Sequence, residues 1–173
     1  AGRAFGWILS YGISKRMKNL RDLEINDLKK LLEEMGEKPF RAKQIYTWLH
    51  QNLVEHFDEM TNISKGLRDR LSAEYSVALP ETVEVLTSKI DGTKKFIFRM
   101  QDGHVIESVW MEYQHGHSVC ISSQVGCRMG CKFCASTLDG LARNLTSGEM
   151  LGQIYQIQRT TGARVDNIVI MGS

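Results

Sequence analysis

The sequence has nothing long enough to cross a membrane: no apolar run approaches the roughly 20 residues that span a bilayer. It also has no global excess of positive charge. Lys and Arg number 22 against 20 Asp and Glu, so no long-range field announces a nucleic-acid partner, although a local patch gripping a folded RNA stays hidden in that sum. Internal repeats and low-complexity segments are absent. The five histidines show no metal spacing, and His115, Gly116 and His117 read as a loop. Proline occurs only twice and cysteine only four times. The first residues, AGRAFGWILSYGISKR, hold three positive charges and no negative one. Their short, glycine-broken apolar run resembles a signal peptide only loosely. No methionine opens the chain, whereas Met17 opens a more regular sequence. Residues 1–16 are therefore expected to be an upstream extension without functional weight.

What is present suffices for an ordered protein. Hydrophobic residues make up 42% and charged residues 24%, with both signs interspersed, which allows a core and argues against disorder. The length of 173 residues suits one domain, or a small accessory domain followed by part of a larger one.

From Met17 to about Tyr75 the pattern is helical. Asn26 is placed to cap a helix with Leu28, Leu31, Leu32 and Met35 on one face, and Gly36 fits its stop. A second helix is expected from Arg41 to Leu53, with Ile45, Trp48 and Leu49 inward. A third carries Ile63, Leu67 and Leu71 at a spacing of four. Pro80 marks a boundary, after which TVEVLTSKI, KKFIFRMQ and HVIESVWME read as a three-stranded meander over 82–112. Asp91-Gly92 and Asp102-Gly103 are expected to form type I′ turns in it. A strand over 118–123 follows, then a cysteine loop, a helix over about 147–161 opened by the capping box Thr146-Ser147-Gly148-Glu149, and a buried strand NIVIM at 167–171. Strand, loop, helix and strand make a βαβ unit. Two strands do not close an α/β domain, so this reads as the beginning of one.

All four cysteines fall in VCISSQVGCRMGCKFC, from Val119 to Cys134. Clustered thiols without an export signal point to a reducing compartment, where metal or catalytic roles outrank disulfides. Cys127, Cys131 and Cys134 are spaced C-x3-C-x2-C on a loop after a strand. Three thiolates can hold three irons of a [4Fe-4S] cluster and leave the fourth open for a chelating substrate. Structural zinc on all four cysteines is the alternative, and the gap from Cys120 to Cys127 suits it poorly.

Three stretches narrow the reading. KPFRAKQIYTWLH (38–50), CISSQVGCRMGCKFCAS (120–136) and ARNLTSGEMLGQI (142–154) resemble the RlmN-type RNA methyltransferases of the radical S-adenosylmethionine (SAM) superfamily. The likeness runs from about Met17 to Gly172. It implies an α/β chain: residues 17–79 as a helical accessory RNA-binding domain, 80–114 as a β-meander linker region, and 115–173 as the start of a partial (β/α)6 barrel, truncated after its second strand. Residues 1–16 would be an extension foreign to the family.

The implied activity is methyl transfer from SAM to carbon 2 of adenine in 23S ribosomal RNA and in transfer RNA. Cys127, Cys131 and Cys134 would ligate the cluster, whose open iron would take the amino and carboxylate groups of SAM before reduction to a 5′-deoxyadenosyl radical. Phe133 would lie near the adenine of that cofactor, with a core aromatic as the equal alternative. Cys120 would resolve the RNA adduct through a transient disulfide, although its residue type alone fits a small buried hydrophobe. Glu107 would accept the proton leaving carbon 2, or Cys120 would; a solvent-facing strand charge is the plainer reading of Glu107.

Lys38, Arg41 and Lys43 beside Phe40, Tyr46 and Trp48 offer a phosphate-binding mixture, as do Lys94, Lys95 and Arg99, while each cation singly fits a solvated face. The resemblance further implies an electron donor for the cluster, a cytoplasmic location, no membrane, and a monomer at full length. The family's Gly-Glu pair for SAM and its methyl-carrying distal cysteine have no counterpart up to Ser173, so no turnover is expected of this chain alone. A radical SAM enzyme acting elsewhere, such as on adenine carbon 8, and a noncatalytic zinc-stabilised RNA-binding module are the competing readings.

Overall fold

The computed structural model describes residues 17–172; the expected extension at 1–16 lies outside the described residues. Chain order is β1 (Lys18–Asn19), α1 (Ile25–Glu34), α2 (Phe40–His50), α3 (Lys65–Glu74), β2 (Tyr75–Ser76), β3 (Glu81–Thr87), β4 (Lys94–Arg99), β5 (Val105–Tyr113), β6 (Gly116–Ser122), β7 (Gln124–Gly126), β8 (Leu141–Asn144), α4 (Ser147–Thr161) and β9 (Asn167–Met171). The architecture is mixed α/β. Among the described residues no helix is long and apolar enough to cross a membrane.

The helices bury their apolar faces in one cluster built on Leu20, Leu28, Leu32, Ile45, Leu49, Leu67 and Leu71. β1 and β2 pair in parallel and bring the two ends of this region together. The expected start of α1 at Asn26 is corrected. Glu24 is the extended residue before the helix and makes no side-chain cap; Leu23 and Ile25 pack against the cluster, which moves the cap two residues earlier and leaves Asn26 exposed on the first turn. α2 likewise begins at Phe40 and ends at His50, not at Leu53. Ile63 is buried but precedes α3, whose cap is Ser64, accepting from the Leu67 N–H.

The second region is a five-stranded sheet in the order β3-β4-β5-β6-β9. β3 to β6 run antiparallel, and β9 joins β6 in parallel after the crossover through α4. The expected burial of the NIVIM strand is corrected: as the edge strand of the described sheet, β9 has all five residues exposed. One sheet face carries Phe96, Phe98, Ile106, Trp110, Val119 and Ile121, and α4 covers it with Ile154 and Ile157. Buried Gln153 of α4 clasps the end of β6: its amide N–H donates to Ser122 O (2.9 Å), while its Oε1 accepts from Ser122 N–H (2.9 Å) and Ser108 O–H (2.7 Å).

Two turn expectations are corrected. Gly92 and Gly103 have φ of 73° and 85°, but among the described residues Leu53 is the one non-glycine with positive φ, so neither turn is type I′. Both loops are longer than two residues, and each aspartate accepts from the backbone two positions on, Asp91 from Thr93 and Asp102 from His104. The 115–117 loop is corrected as well. Gly116 and His117 belong to β6, because the His117 N–H is taken by Asp166 Oδ2 at 2.9 Å and its ring stacks on Trp110 at 5.2 Å.

The two regions meet along α4. The Gly148 N–H donates to Asp22 Oδ1 (2.7 Å), Arg159 donates to Leu53 O (2.7 Å), and Tyr155 O–H and His50 Nδ1 lie 2.8 Å apart. Gly152 lets Pro80 approach so closely that an added Cβ would stand 2.8 Å from the proline ring.

Candidate functional site

The cysteine loop leaves the sheet at the carboxyl ends of the parallel strands β6 and β9, the end where α/β folds place their sites. Ser123 continues the pairing, its N–H and O–H both donating to Met171 O (3.0 and 2.8 Å). β7 and β8 then form a small antiparallel pair, with Gly126 opposite Leu141, and residues 127–140 bulge from its end. This neck was not anticipated: three- and four-residue strands are too short to show alternation.

Gly126 makes the neck possible. Its φ is 69°, and a Cβ there would stand 2.0 Å from the Gly140 carbonyl oxygen. Gly130, at φ 67°, has open space around it. Gly126→Ala is therefore expected to cost about 2 kcal/mol or more, beyond the roughly 1–2 kcal/mol of a left-handed residue that Gly130→Ala alone incurs. Thermal unfolding of the two variants checks the order.

Within the loop, Cys127 and Cys134 are half-buried and Cys131 exposed, all unpaired. The Thr137 hydroxyl ties their backbone, donating to Cys134 O (2.9 Å) and Cys131 O (3.2 Å). Arg143 of β8 braces the neck from outside, bonding Asp102 (2.5 Å) and both oxygens of Glu149 (2.8 and 2.9 Å). Burial alone would raise the Asp102 carboxyl; hydrogen bonds from Arg143 and His104 and the Arg143 charge outweigh it and hold it at about 2. Thr137 and Arg143 lie beside or within the quoted motif words, but nothing in their residue type announces these contacts.

Among the described residues no three His, Cys, Asp or Glu side chains are gathered so as to hold a single metal ion. A [4Fe-4S] cluster makes a different demand, since each thiolate binds its own iron. Three unpaired thiols on one exposed loop are the donor chemistry it takes. Phe133 is 93% exposed on this loop. Met129 and Leu138 are also exposed there.

Cys120 and Glu107 share the sheet face opposite α4. Val109 is paired with Cys120, so Glu107, two residues along β5, is its diagonal neighbour, about 7–8 Å away between backbones. Cys120 lies between Val109 and Val169, and burial pushes its thiol pKa up. Glu107 is held at the end of β6, where Ser122 O–H donates to its carbonyl (2.7 Å). Its exposed carboxylate is paired by Lys95 Nζ, 3.2 Å from both oxygens. The other hairpin cations are engaged too: Arg99 with Glu81 (3.0 Å) and Lys94 over the Trp110 ring (5.6 Å).

Residues 18–77 match the family described as the ribosomal RNA large subunit methyltransferase N-terminal domain. The chain is 59% identical over 155 residues to the "Probable dual-specificity RNA methyltransferase RlmN" of Lachnoclostridium phytofermentans, covering 90% of this chain and 44% of that protein. It is 53% identical over 157 residues to the protein of the same description in Lachnospira eligens, covering 91% and 45%. Among solved structures, the crystal structure of a radical SAM methyltransferase from Sphaerobacter thermophilus aligns with a TM-score of 0.80 at 39% identity, over 90% of this chain and 46% of that one. The chain thus spans less than half the length of the relatives it matches. With its cysteine loop at the carboxyl end of a βαβ unit, it is similar to the N-terminal portion of these RlmN methyltransferases.

Proposed function

We propose that the chain serves a radical SAM RNA methyltransferase that methylates carbon 2 of adenine in 23S ribosomal RNA and in transfer RNA. The activity is proposed for this portion together with the remainder found in its relatives, with 115–172 opening a partial (β/α)6 barrel and the helical region at 17–79 gripping RNA. The observation that carries the reading is the set of three unpaired thiols, Cys127, Cys131 and Cys134, on one exposed loop at the carboxyl ends of β6 and β9.

Those thiols would hold a [4Fe-4S] cluster, and Phe133 beside the last of them would flank SAM. When bound, the cluster would supply the single electron that cleaves the SAM sulfonium. Two further residues of this chain would act beside it. Cys120, with its thiol held protonated by burial, is suited to wait for a partner sulfur before a disulfide forms. Glu107 is the proton acceptor in this reading, oriented by Lys95. An electron donor, a cytoplasmic location and a monomeric enzyme complete the proposal; free clustered thiols support the reducing compartment.

Anaerobic reconstitution with iron and sulfide tests it. The expected product is brown, with broad visible absorbance and about four irons per chain. A colourless protein holding about one zinc would replace this reading with a zinc-stabilised module.

A further inference from the structure

A groove of about 520 Å³ runs between α2 and the segment that follows it, with Asn52 and Asn62 on its far side. We infer that this groove seats an unpaired nucleotide of single-stranded RNA; the inference rests on the RNA-methyltransferase reading and adds a specific contact to it.

Shape and chemistry agree on that occupant. The volume lies within the roughly 300–1,000 Å³ of small-ligand sites. Two aromatics line it. Phe40 is 52% exposed, with the Arg41 guanidinium 5.1 Å from its ring centroid. Trp48 is fixed at its polar edge, its indole N–H donating to Asn62 Oδ1 at 2.6 Å. Bases stack on such faces whatever their sequence. The amide-bearing Gln44, Asn52 and Asn62 and the hydroxyl-bearing Thr47 line the same groove. Gln44 and Asn62 use their oxygens within the protein, for Arg41 and Trp48, and their N–H2 groups make no bond among the described residues. Donors of this kind read the acceptor edge of an unpaired base, which a duplex hides.

Charge points the same way. No Asp or Glu occurs from Lys38 to Val54, although acidic residues are frequent elsewhere. On the hairpin, Lys95 and Arg99 are paired with carboxylates and Lys94 lies over the Trp110 ring. Exposed Lys38 and Lys43 make no ion pair among the described residues, so they are free for a phosphate. An acidic peptide would satisfy the lysines but leave the aromatic faces and amide donors without a role.

The test is fluorescence anisotropy with a labelled, unstructured eight-nucleotide oligoribonucleotide, the same sequence as a duplex, and an acidic peptide of equal charge. Phe40→Ala is expected to weaken single-strand binding about tenfold. Lys43→Ala should weaken it and lower the salt slope by about one. Lys30→Ala, an exposed cation on α1 away from the groove, should bind as the parent does. Circular dichroism confirms that each variant is folded. Equal binding by Phe40→Ala and the parent, tighter binding of the duplex or the acidic peptide, or no binding of the single strand would each overturn the groove. Iron loading is measured on the same preparations. Loss of the groove effect with loading intact rejects only this inference, whereas failed loading with the groove effect intact rejects the enzymatic reading.

Discussion

Arg21→Ala is expected to cost about 3 kcal/mol or more, lowering the melting temperature by roughly 6–12 °C in a chain of this size. Arg21 sits in the short 3-10 turn Leu20–Asp22 and is 2% exposed. Its guanidinium donates to the carbonyls of Val77 and Val54, so one side chain joins the end of the helical region to the segment after α2. Truncation strands two buried acceptors and opens a cavity. Asp22, next in sequence, holds the first turn of α4, so the damage should spread to the contact between the regions. Arg21→Met separates the causes: it restores volume but not the bonds, and should remain well below the parent if bonding dominates.

The same cluster sets an acid sensitivity. Burial, and then the Arg21 charge, lower the His50 pKa to about 4. Burial likewise lowers Arg21 itself to about 10, which keeps it charged at neutral pH. In the unfolded chain His50 protonates near its ordinary value of about 6.5, so between those values the unfolded state binds the extra proton. The stability linked to a neutral His50 is complete above about pH 6.5 and is lost as pH falls toward 4. His50→Gln should flatten the melting temperature across that window. Arg21→Ala should narrow the window from its acid side, because the cation that depresses His50 is gone. A parent protein whose melting temperature does not change from pH 7 to 4 would refute this.

Elements with strong local chemistry are legible in the sequence. The Thr146–Glu149 capping box forms in both directions, at 3.2 and 2.9 Å, and α4 and β9 lie where the capping box and the NIVIM run place them. Features set by tertiary packing are not. The start of α1 follows Leu23 and Ile25 into the core, not the capping preference of Asn26. Reading 115–117 as a loop hid the turn between β5 and β6, and with it the register that puts Cys120 diagonal to Glu107. The identities of the site residues came from motif words and family resemblance. Their surroundings did not: Lys95 reaches Glu107 only through the pairing of β4 with β5, and Phe133 declared its exposure only in three dimensions.

The central claim is that four neighbouring cysteines divide into three ligands and one separate thiol. Cys127, Cys131 and Cys134 lie on the loop beyond the β7–β8 neck, while Cys120 lies within β6, on the sheet face away from α4. The most direct measurement is the iron content and visible spectrum of four single Cys→Ala variants, each reconstituted anaerobically beside the parent. The account predicts near-complete loss of iron and colour for Cys127→Ala, Cys131→Ala and Cys134→Ala, and about four irons with the parent's spectrum for Cys120→Ala. Loss of metal in Cys120→Ala to the same extent as in the other three would contradict it.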